Sequence, residues 1–109
     1  MKAVGDEVFK ALADPTRRSI LDALYERDGQ TVQALCGRFP EMTRFGVMKH
    51  LTILEEADLV ATKRVGRTKL HYLNPIPIGE IADRWVSKYA QPFTRAMVGV
   101  RHDLERATS

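Results

Sequence analysis

The sequence predicts a mainly α-helical fold that carries one small β-hairpin, and two spacing patterns support this prediction. Before Leu59 the apolar residues recur at steps of three and four, as in amphipathic helices, whereas between Val60 and Leu73 they follow a period near two. The chain has 109 residues and contains no internal repeat and no linker rich in Gly, Ser or Pro. We therefore expect a single domain over residues 1–109.

A break in the helical pattern at Asp14 and Pro15 separates the first two predicted helices. Asp accepts hydrogen bonds from the free N–H groups at a helix start, and proline fits the first helical position. A first helix is expected over residues 5–13, and a second from Pro15 to about Asp28, where Gly29 provides the stop. The inward-facing residues of these helices are predicted to be Val8, Phe9, Leu12, Ile20, Leu21 and Leu24.

Two further helices, joined by a tight turn, are predicted between about residues 31 and 57. Thr31 can cap a short helix that ends at Pro40, and Thr43 can cap a longer one. The longer helix has an apolar face at i, i+4 and i+7, formed by Val47, Leu51 and Leu54. Its outward side chains are predicted to be Arg44, Phe45, Met48, Lys49 and Thr52. Two such helices match the helix-turn-helix plan, in which the second helix enters a DNA groove.

Residues 60–73 are predicted to form a hairpin wing with Gly66 and Arg67 in its turn. The wing has no acidic residue and four cations, which are Lys63, Arg64, Arg67 and Lys69. The net charge of +3 is too small to indicate a nucleic-acid partner by itself, but cations concentrated on one ribbon suit contacts to phosphates. The predicted architecture is therefore a winged helix-turn-helix that binds double-stranded DNA.

The last segment, about residues 78–107, is predicted to be a long amphipathic helix that Pro92 kinks or splits. So much apolar surface in a chain with a small core favours burial against a second copy, so a homodimer is expected. The first helix, residues 5–13, is expected to share this interface. The predicted interface residues are Val8, Phe9, Leu12, Ile81, Trp85, Tyr89, Phe93 and Met97. An alternative interpretation is that these aromatic side chains line a pocket for an apolar effector.

Composition excludes several other classes of protein. No apolar run approaches the roughly 18 residues of a membrane-spanning helix, and the acidic residues Asp6 and Glu7 interrupt any signal peptide, so a cytoplasmic location is expected. The single cysteine, Cys36, cannot form an internal disulfide and is expected to be a buried thiol. No Gly-rich phosphate loop, carboxylate pair or Ser-His-Asp set with recognisable spacing is present, so we expect no enzymatic activity.

Three segments together carry a family resemblance: ALADPTRRSILDAL, VMKHLTILEEADLV and a wing of the form K-R-x-G-R. With them the chain resembles the ArsR family of winged-helix repressors, over nearly its whole length. The resemblance implies a homodimer that binds operator DNA, usually near its own promoter, and represses transcription until an effector arrives. It carries over DNA contacts to Arg44, Phe45, Met48 and Lys49, with Thr43 and His50 close to the DNA backbone.

The resemblance also implies contacts from Arg64, Arg67 and Lys69 of the wing to phosphates or to the minor groove. Arg17 and Arg18 lie in the first turn of the second helix, where their charges oppose the helix dipole. A phosphate or a nearby carboxylate is therefore expected as their partner.

The metal sites of the family are not expected here. Arsenic and cadmium sensors need two cysteines one residue apart in the third helix, but Arg38 stands where the second thiolate would follow Cys36. The zinc site on the C-terminal helix needs an acid, a histidine two residues later and a further histidine pair. Here Asp83 is followed by Trp85, and His102 is the only histidine of that helix. We therefore predict a subgroup without a metal or cofactor, whose effector, if any, is an unknown small molecule.

The sequence thus predicts a sequence-specific, autoregulatory repressor, and two alternatives remain open. In the first, the winged helix is a protein-interaction module without specific DNA binding, and Phe45 and Met48 dock a partner. In the second, Cys36 is a redox switch that links subunits, which requires an exposed thiol.

Overall fold

The computed structural model describes residues 5–85 and 88. Five helices and one antiparallel hairpin follow each other in the order α1 (Asp6–Leu12), α2 (Pro15–Glu26), α3 (Val32–Arg38), α4 (Arg44–Glu56), β1 (Val60–Val65), β2 (Thr68–Leu73) and α5 (Ile76–Trp85). This order confirms the predicted winged helix-turn-helix. The chain divides into two compact units, Met1–Ile78 and Gly79–Ser109, and the first contains the helix-turn-helix and the wing.

Side-chain caps begin three of the helices where the sequence predicts them. An oxygen of the Asp14 carboxylate accepts from the backbone N–H of Arg17 at 2.9 Å. Thr31 and Thr43 each use the side-chain hydroxyl oxygen to accept from the backbone N–H three residues later, at 3.0 Å in both cases. Each cap satisfies a backbone donor that has no partner within its own helix. These local contacts fix the starts of α2, α3 and α4.

The core of the first unit forms where the inward faces of α2, α3 and α4 meet the start of β1. The predicted inward residues of α2 and α4 are all buried: Ile20, Leu21, Leu24, Val47, Leu51 and Leu54. Leu35 of α3 and Leu59, just before β1, are also fully buried. The face predicted for α1 is only partly correct, because Val8 is buried and Leu12 half-buried, but Phe9 is 48% exposed.

The wing has the predicted strands and turn. Its antiparallel register pairs Val60 with Leu73 at the base and Val65 with Thr68 at the tip. Gly66 is the first of the two turn residues and has a φ of 62°. A positive φ at the first central residue alone is the pattern of a type II′ turn, which favours glycine there. The two-residue turn therefore holds the strands in one register.

An isolated β-bridge joins Gln30 to the wing, and the sequence did not predict it. Gln30 and His71 form an isolated antiparallel bridge, in which His71 N donates to Gln30 O at 2.8 Å and Gln30 N donates to His71 O at 3.1 Å. His71 Nδ1 also lies 2.9 Å from Gln30 O, and a carbonyl oxygen only accepts, so Nδ1 carries the proton. The bridge attaches the base of the wing to the segment between α2 and α3.

The same segment ends α2 earlier than predicted. The helix stops at Glu26 rather than near Asp28, and the Gln30 side chain donates from Nε2 to the carbonyls of Ala23 and Arg27 at 2.9 and 2.7 Å. Gly29 has a φ of 74°, and a Cβ added to it would lie 3.2 Å from the ring of Tyr72. The backbone conformation therefore favours glycine, and a Cβ at this position would also crowd the ring of Tyr72.

The helix after the wing begins at Ile76, two residues before the predicted start. Pro77 lies in its first turn, where the missing N–H of proline leaves no hydrogen bond unmade. Asn74 Oδ1 accepts from Ile76 N at 3.3 Å. The predicted kink at Pro92 lies outside the described residues. No helix within the described part of the chain is long and apolar enough to span a membrane.

Candidate nucleic-acid interface

The outward face of α4 carries the side chains that the sequence predicts for DNA contact. The ring of Phe45 is 78% exposed and Met48 is 46% exposed, whereas Val47, on the opposite face, is fully buried. Arg44 and Lys49 are exposed, and neither forms an ion pair or side-chain hydrogen bond with another described residue. Two unpaired cations and two apolar side chains thus point into solvent from one helix.

The ends of this outward face are held by local hydrogen bonds. The exposed Thr43 is occupied as the cap of α4. The hydroxyl of Thr52, also exposed, donates to the carbonyl of Met48 at 3.0 Å. Each hydroxyl therefore makes one hydrogen bond with the helix itself, and between them lie the two cations and the two apolar side chains.

The tip of the wing is exposed and cationic. Every residue from 61 to 69 is exposed, including Lys63, Arg64, Arg67 and Lys69. The register places Arg64 directly opposite Lys69, so two positive side chains share one face of the hairpin. Like charges in this position repel each other and destabilise the hairpin. An anion bound against them would remove this repulsion.

Lys69 has a partner that the sequence did not suggest. Its Nζ lies 3.1 Å from Oε1 of Glu55, near the end of α4. The ion pair connects α4 to the wing and offsets part of the repulsion between Lys69 and Arg64. Arg64, Arg67 and Lys63 form no ion pair with any other residue that the structure describes. The wing therefore presents three unpaired cations and one that is held by α4.

His50 lies at the contact between α4 and the start of α2. Its half-buried ring has Nδ1 3.4 Å from Arg17 Nη1 and 3.9 Å from an oxygen of Asp14. The pKa of Asp14 lies below its usual value, chiefly because its carboxylate accepts a hydrogen bond from the backbone N–H of Arg17. The charges of Arg17 and His50 lower this pKa further, while partial burial opposes the shift. His50 thus contacts groups of its own chain, which the sequence did not predict.

Within the chain, the side chains of Arg17 and Arg18 have backbone carbonyls as partners rather than a carboxylate. Arg17 donates to the carbonyls of Ala11 and Lys10, at 2.8 and 3.0 Å, and Arg18 donates to the carbonyl of Leu12 at 2.6 Å. The last carbonyls of a helix have no partner within the helix and carry its negative dipole end. The two arginines therefore cap the C-terminus of α1.

The residues predicted for a dimer interface are only partly described. Val8 contributes to the core of its own chain, Phe9 is exposed, and Leu12 and Ile81 are half-buried. Trp85 is the last residue of α5. Tyr89, Phe93 and Met97 lie outside the described residues, as does the effector pocket that we considered for the aromatic residues. These assignments stay predictions.

The third helix carries Cys36, the cysteine on which the metal and redox alternatives depend. Cys36 is half-buried rather than buried, and the Arg38 guanidinium pairs with the Glu26 carboxylate. Within residues 5–85 and 88, no group of three or more His, Cys, Asp or Glu side chains lies close enough to hold a metal ion. His102, the histidine weighed for a zinc site, is outside this part of the chain.

Comparison with known proteins agrees with the geometry. A family model described as "Helix-turn-helix domain" matches residues 12–63, which include α2, α3, α4 and the start of the wing. The chain is 40% identical over 86 residues to the uncharacterized HTH-type transcriptional regulator YuzN of Bacillus subtilis, covering 74% of this chain and 94% of YuzN. It is 36% identical over 69 residues to the transcriptional repressor SdpR of the same organism, covering 63% of this chain and 74% of SdpR.

A solved structure extends the likeness to the fold. The ArsR-like transcriptional regulator from Rhodococcus sp. RHA1 superposes with a TM-score of 0.69 at 29% identity, covering 88% of each chain. The match spans most of the chain rather than the helix-turn-helix alone.

Proposed function

This chain belongs to the ArsR-like family of winged helix-turn-helix transcriptional regulators, and we propose that it represses transcription as a homodimer on a two-fold symmetric operator. It is a DNA-binding regulator, and its relatives have a non-enzymatic role. The operator is proposed to lie near its own promoter, so that the protein regulates its own synthesis. DNA binding would place the protein in the cytoplasm.

The outward face of α4 is the observation that carries the proposal. Arg44 and Lys49 form no ion pair with another described residue, and the same is true of Arg64 and Arg67 in the wing. A helix of this length fits the major groove, and cations that flank it suit the phosphates. In a dimer, the two copies of α4 would enter successive major grooves about 34 to 36 Å apart.

Repression, as opposed to activation, is supported by one relative. SdpR is a transcriptional repressor and is 36% identical to this chain over 69 residues. The proposal extends that role to this chain.

The first test is binding to the region upstream of the protein's own coding sequence, compared with an unrelated duplex of equal length at two salt concentrations. A preference of about a thousandfold or more, with affinity that falls steeply as salt rises, is expected for a specific regulator. Equal and weak binding to both duplexes would contradict autoregulation.

Arg44 provides a second test. Because arginine pairs in bidentate fashion with guanine, Arg44→Ala is expected to weaken operator binding by roughly 1 to 3 kcal/mol and to relax the preference at one base pair. Gln33→Ala, at an exposed position of α3, is the matched control for a surface change. An equal loss on every sequence would make Arg44 a phosphate contact instead.

A protein-interaction module remains the second candidate, because Phe45 and Met48 expose apolar surface on α4. The unpaired cations around them favour DNA. A titration on random duplex DNA separates the two functions, since a pure protein-interaction module would show no salt-dependent binding.

A further inference from the structure

We propose that Phe45 and Met48 read the methyl groups of thymine, so that each half-site combines thymine with the guanine expected at Arg44. The inference rests on the proposed DNA-binding function and adds the base composition of its target. It concerns the stripe of α4 formed by Phe45, Met48, Lys49 and Thr52, whose spacing places these residues on one helical face.

The chemistry of this stripe restricts which bases it can recognise. Between Arg44 and Thr52 the helix contains no carboxylate to accept from the amino group of cytosine, and no Asn or Gln to pair with adenine. Glu55, farther along, is held by Lys69. The cations suit guanine or phosphate, and the apolar side chains suit the one apolar group in the major groove, which is the thymine methyl.

Hydrogen bonds within α4 strengthen this restriction. The Thr52 hydroxyl donates its proton to the carbonyl of Met48 at 3.0 Å, which leaves its oxygen as an acceptor only, and its methyl group remains for apolar contact. Thr43, which is outside the stripe, accepts from Gly46 N as the helix cap. The uncharged groups that the stripe presents to DNA are therefore predominantly apolar.

The position of Phe45 also fits base contact. It is the second residue of α4, and the N-terminal residues of a recognition helix are those that contact base edges. Its ring is 78% exposed, with cationic Arg44 beside it in the chain and Lys49 four residues later. An apolar group with cations nearby is complementary to a methyl group on a polyanion and poorly complementary to an apolar protein surface.

The experiment uses deoxyuridine, which differs from thymidine only by lacking the C5 methyl group. A tight-binding duplex is first selected with the full-length protein from a library of random sequences, and then resynthesised with each thymine replaced in turn. We expect a loss of about fourfold for each methyl group that is buried, and roughly sixteenfold when both half-sites are changed. Replacement at other thymines is expected to leave affinity unchanged.

Protein variants connect the effect to the side chain. Phe45→Ala is expected to bind the thymine and uracil duplexes with equal affinity at the position that Phe45 reads, while Phe45→Leu retains part of the difference. Tyr25→Ala, which removes an 80% exposed aromatic ring from α2, is the control and should discriminate as the unchanged protein does. The thermal unfolding midpoint should be the same in all variants because these rings are exposed.

The outcomes separate this inference from the function on which it rests. If the unchanged protein selects a sequence but binds its thymine and uracil forms equally, methyl reading is wrong and specific DNA binding stands. A Phe45→Ala variant that loses affinity equally for both duplexes also overturns the inference. If no duplex is selected at all, the proposed function itself fails.

Discussion

Individual residues at the helix starts stabilise both the helices and the contacts between them. The caps at Asp14, Thr31 and Thr43 each accept one backbone N–H from three residues ahead. Arg17 makes four contacts: its backbone N–H donates to Asp14, and its guanidinium donates to two carbonyls at the end of α1 and approaches His50 on α4. A change at Asp14 or Arg17 therefore affects the junction of α1, α2 and α4.

Asp14 gives a prediction for stability. Substitution by Ala removes the cap and is expected to lower the free energy of unfolding by about 0.5 to 2 kcal/mol, whereas Asn is also a good cap and should preserve most of it at neutral pH. Urea unfolding of the three proteins measures the difference. Asp14→Ala as stable as the unchanged protein would show that the cap contributes nothing.

The pH dependence of the same proteins tests the charge of Asp14. The pKa of this carboxyl is lowered in the folded protein, first by the Arg17 backbone N–H bond. Its ionised form therefore stabilises the fold above the unfolded-state pKa of about 3.9, and this stabilisation is lost as the pH falls through the lower folded-state pKa. The stability advantage over Asp14→Asn should accordingly shrink on acidification. An advantage that stays constant down to the lowest pH would contradict the assignment.

Contacts between neighbouring residues could be predicted from the sequence, whereas contacts between distant residues could not. A cap depends on a few neighbouring residues, so Asp14, Thr31 and Thr43 could be assigned from the chain alone. The partners of Arg17 and Arg18 depend on how α1 folds back on α2, and the bridge between Gln30 and His71 joins residues 41 positions apart. No local pattern contains that information.

At the scale of elements, the ion pair between Glu55 and Lys69 connects α4 and the wing. We expect this pair to set the angle of the wing rather than to contribute a phosphate contact. Lys69→Met and Glu55→Gln should then weaken DNA binding by similar factors, and the double variant should be no weaker than either single variant. The salt dependence of binding should be nearly unchanged in all three.

Arg64 is the matched comparison, because it faces Lys69 across the hairpin and has no partner among the described residues. Arg64→Met is expected to reduce the slope of log affinity against log salt by about 0.9, the effect of one lost phosphate contact. If Lys69→Met reduces the slope as much as Arg64→Met does, Lys69 is a phosphate contact after all.

The elements themselves were well predicted where a periodic pattern covers several turns. Three inward residues of α4, the wing strands and the two-residue turn all occur where the spacing placed them. Phe9 was misassigned because α1 is only seven residues long, and in so short a helix the apolar face is poorly defined by sequence. Its exposure is consistent with the interface role still predicted for it.

At the scale of the whole molecule, the central prediction is the homodimer. Sedimentation equilibrium should give twice the chain mass of 12.3 kDa. Phe9→Asp places a charge on the exposed part of the predicted interface and should shift the protein towards monomer without unfolding it. Gln33→Asp, an equally exposed change on α3, should leave the mass at that of the dimer.

A monomeric unchanged protein would contradict the proposed two-fold operator. The interface residues could be predicted only as a pattern, because a single chain does not reveal which apolar side chains a second copy would cover. The residues proposed for DNA contact were easier to select from sequence, since the cations and apolar groups on the outward face of one helix follow from spacing and composition.

The attachment of the wing has a mechanical consequence. The Gln30 bridge to His71, the Asp28 carboxylate that accepts from Leu73 N at 2.8 Å and the close contact of Gly29 with Tyr72 fix the base of the hairpin. The Glu55–Lys69 pair restrains it one residue pair below the tip, so the wing is held at both ends and we expect its reach to be constant. A duplex that does not match this reach must bend or change its groove width, and the energy of that deformation depends on its sequence. The affinity for DNA would thus depend on the stiffness of base pairs that no side chain contacts.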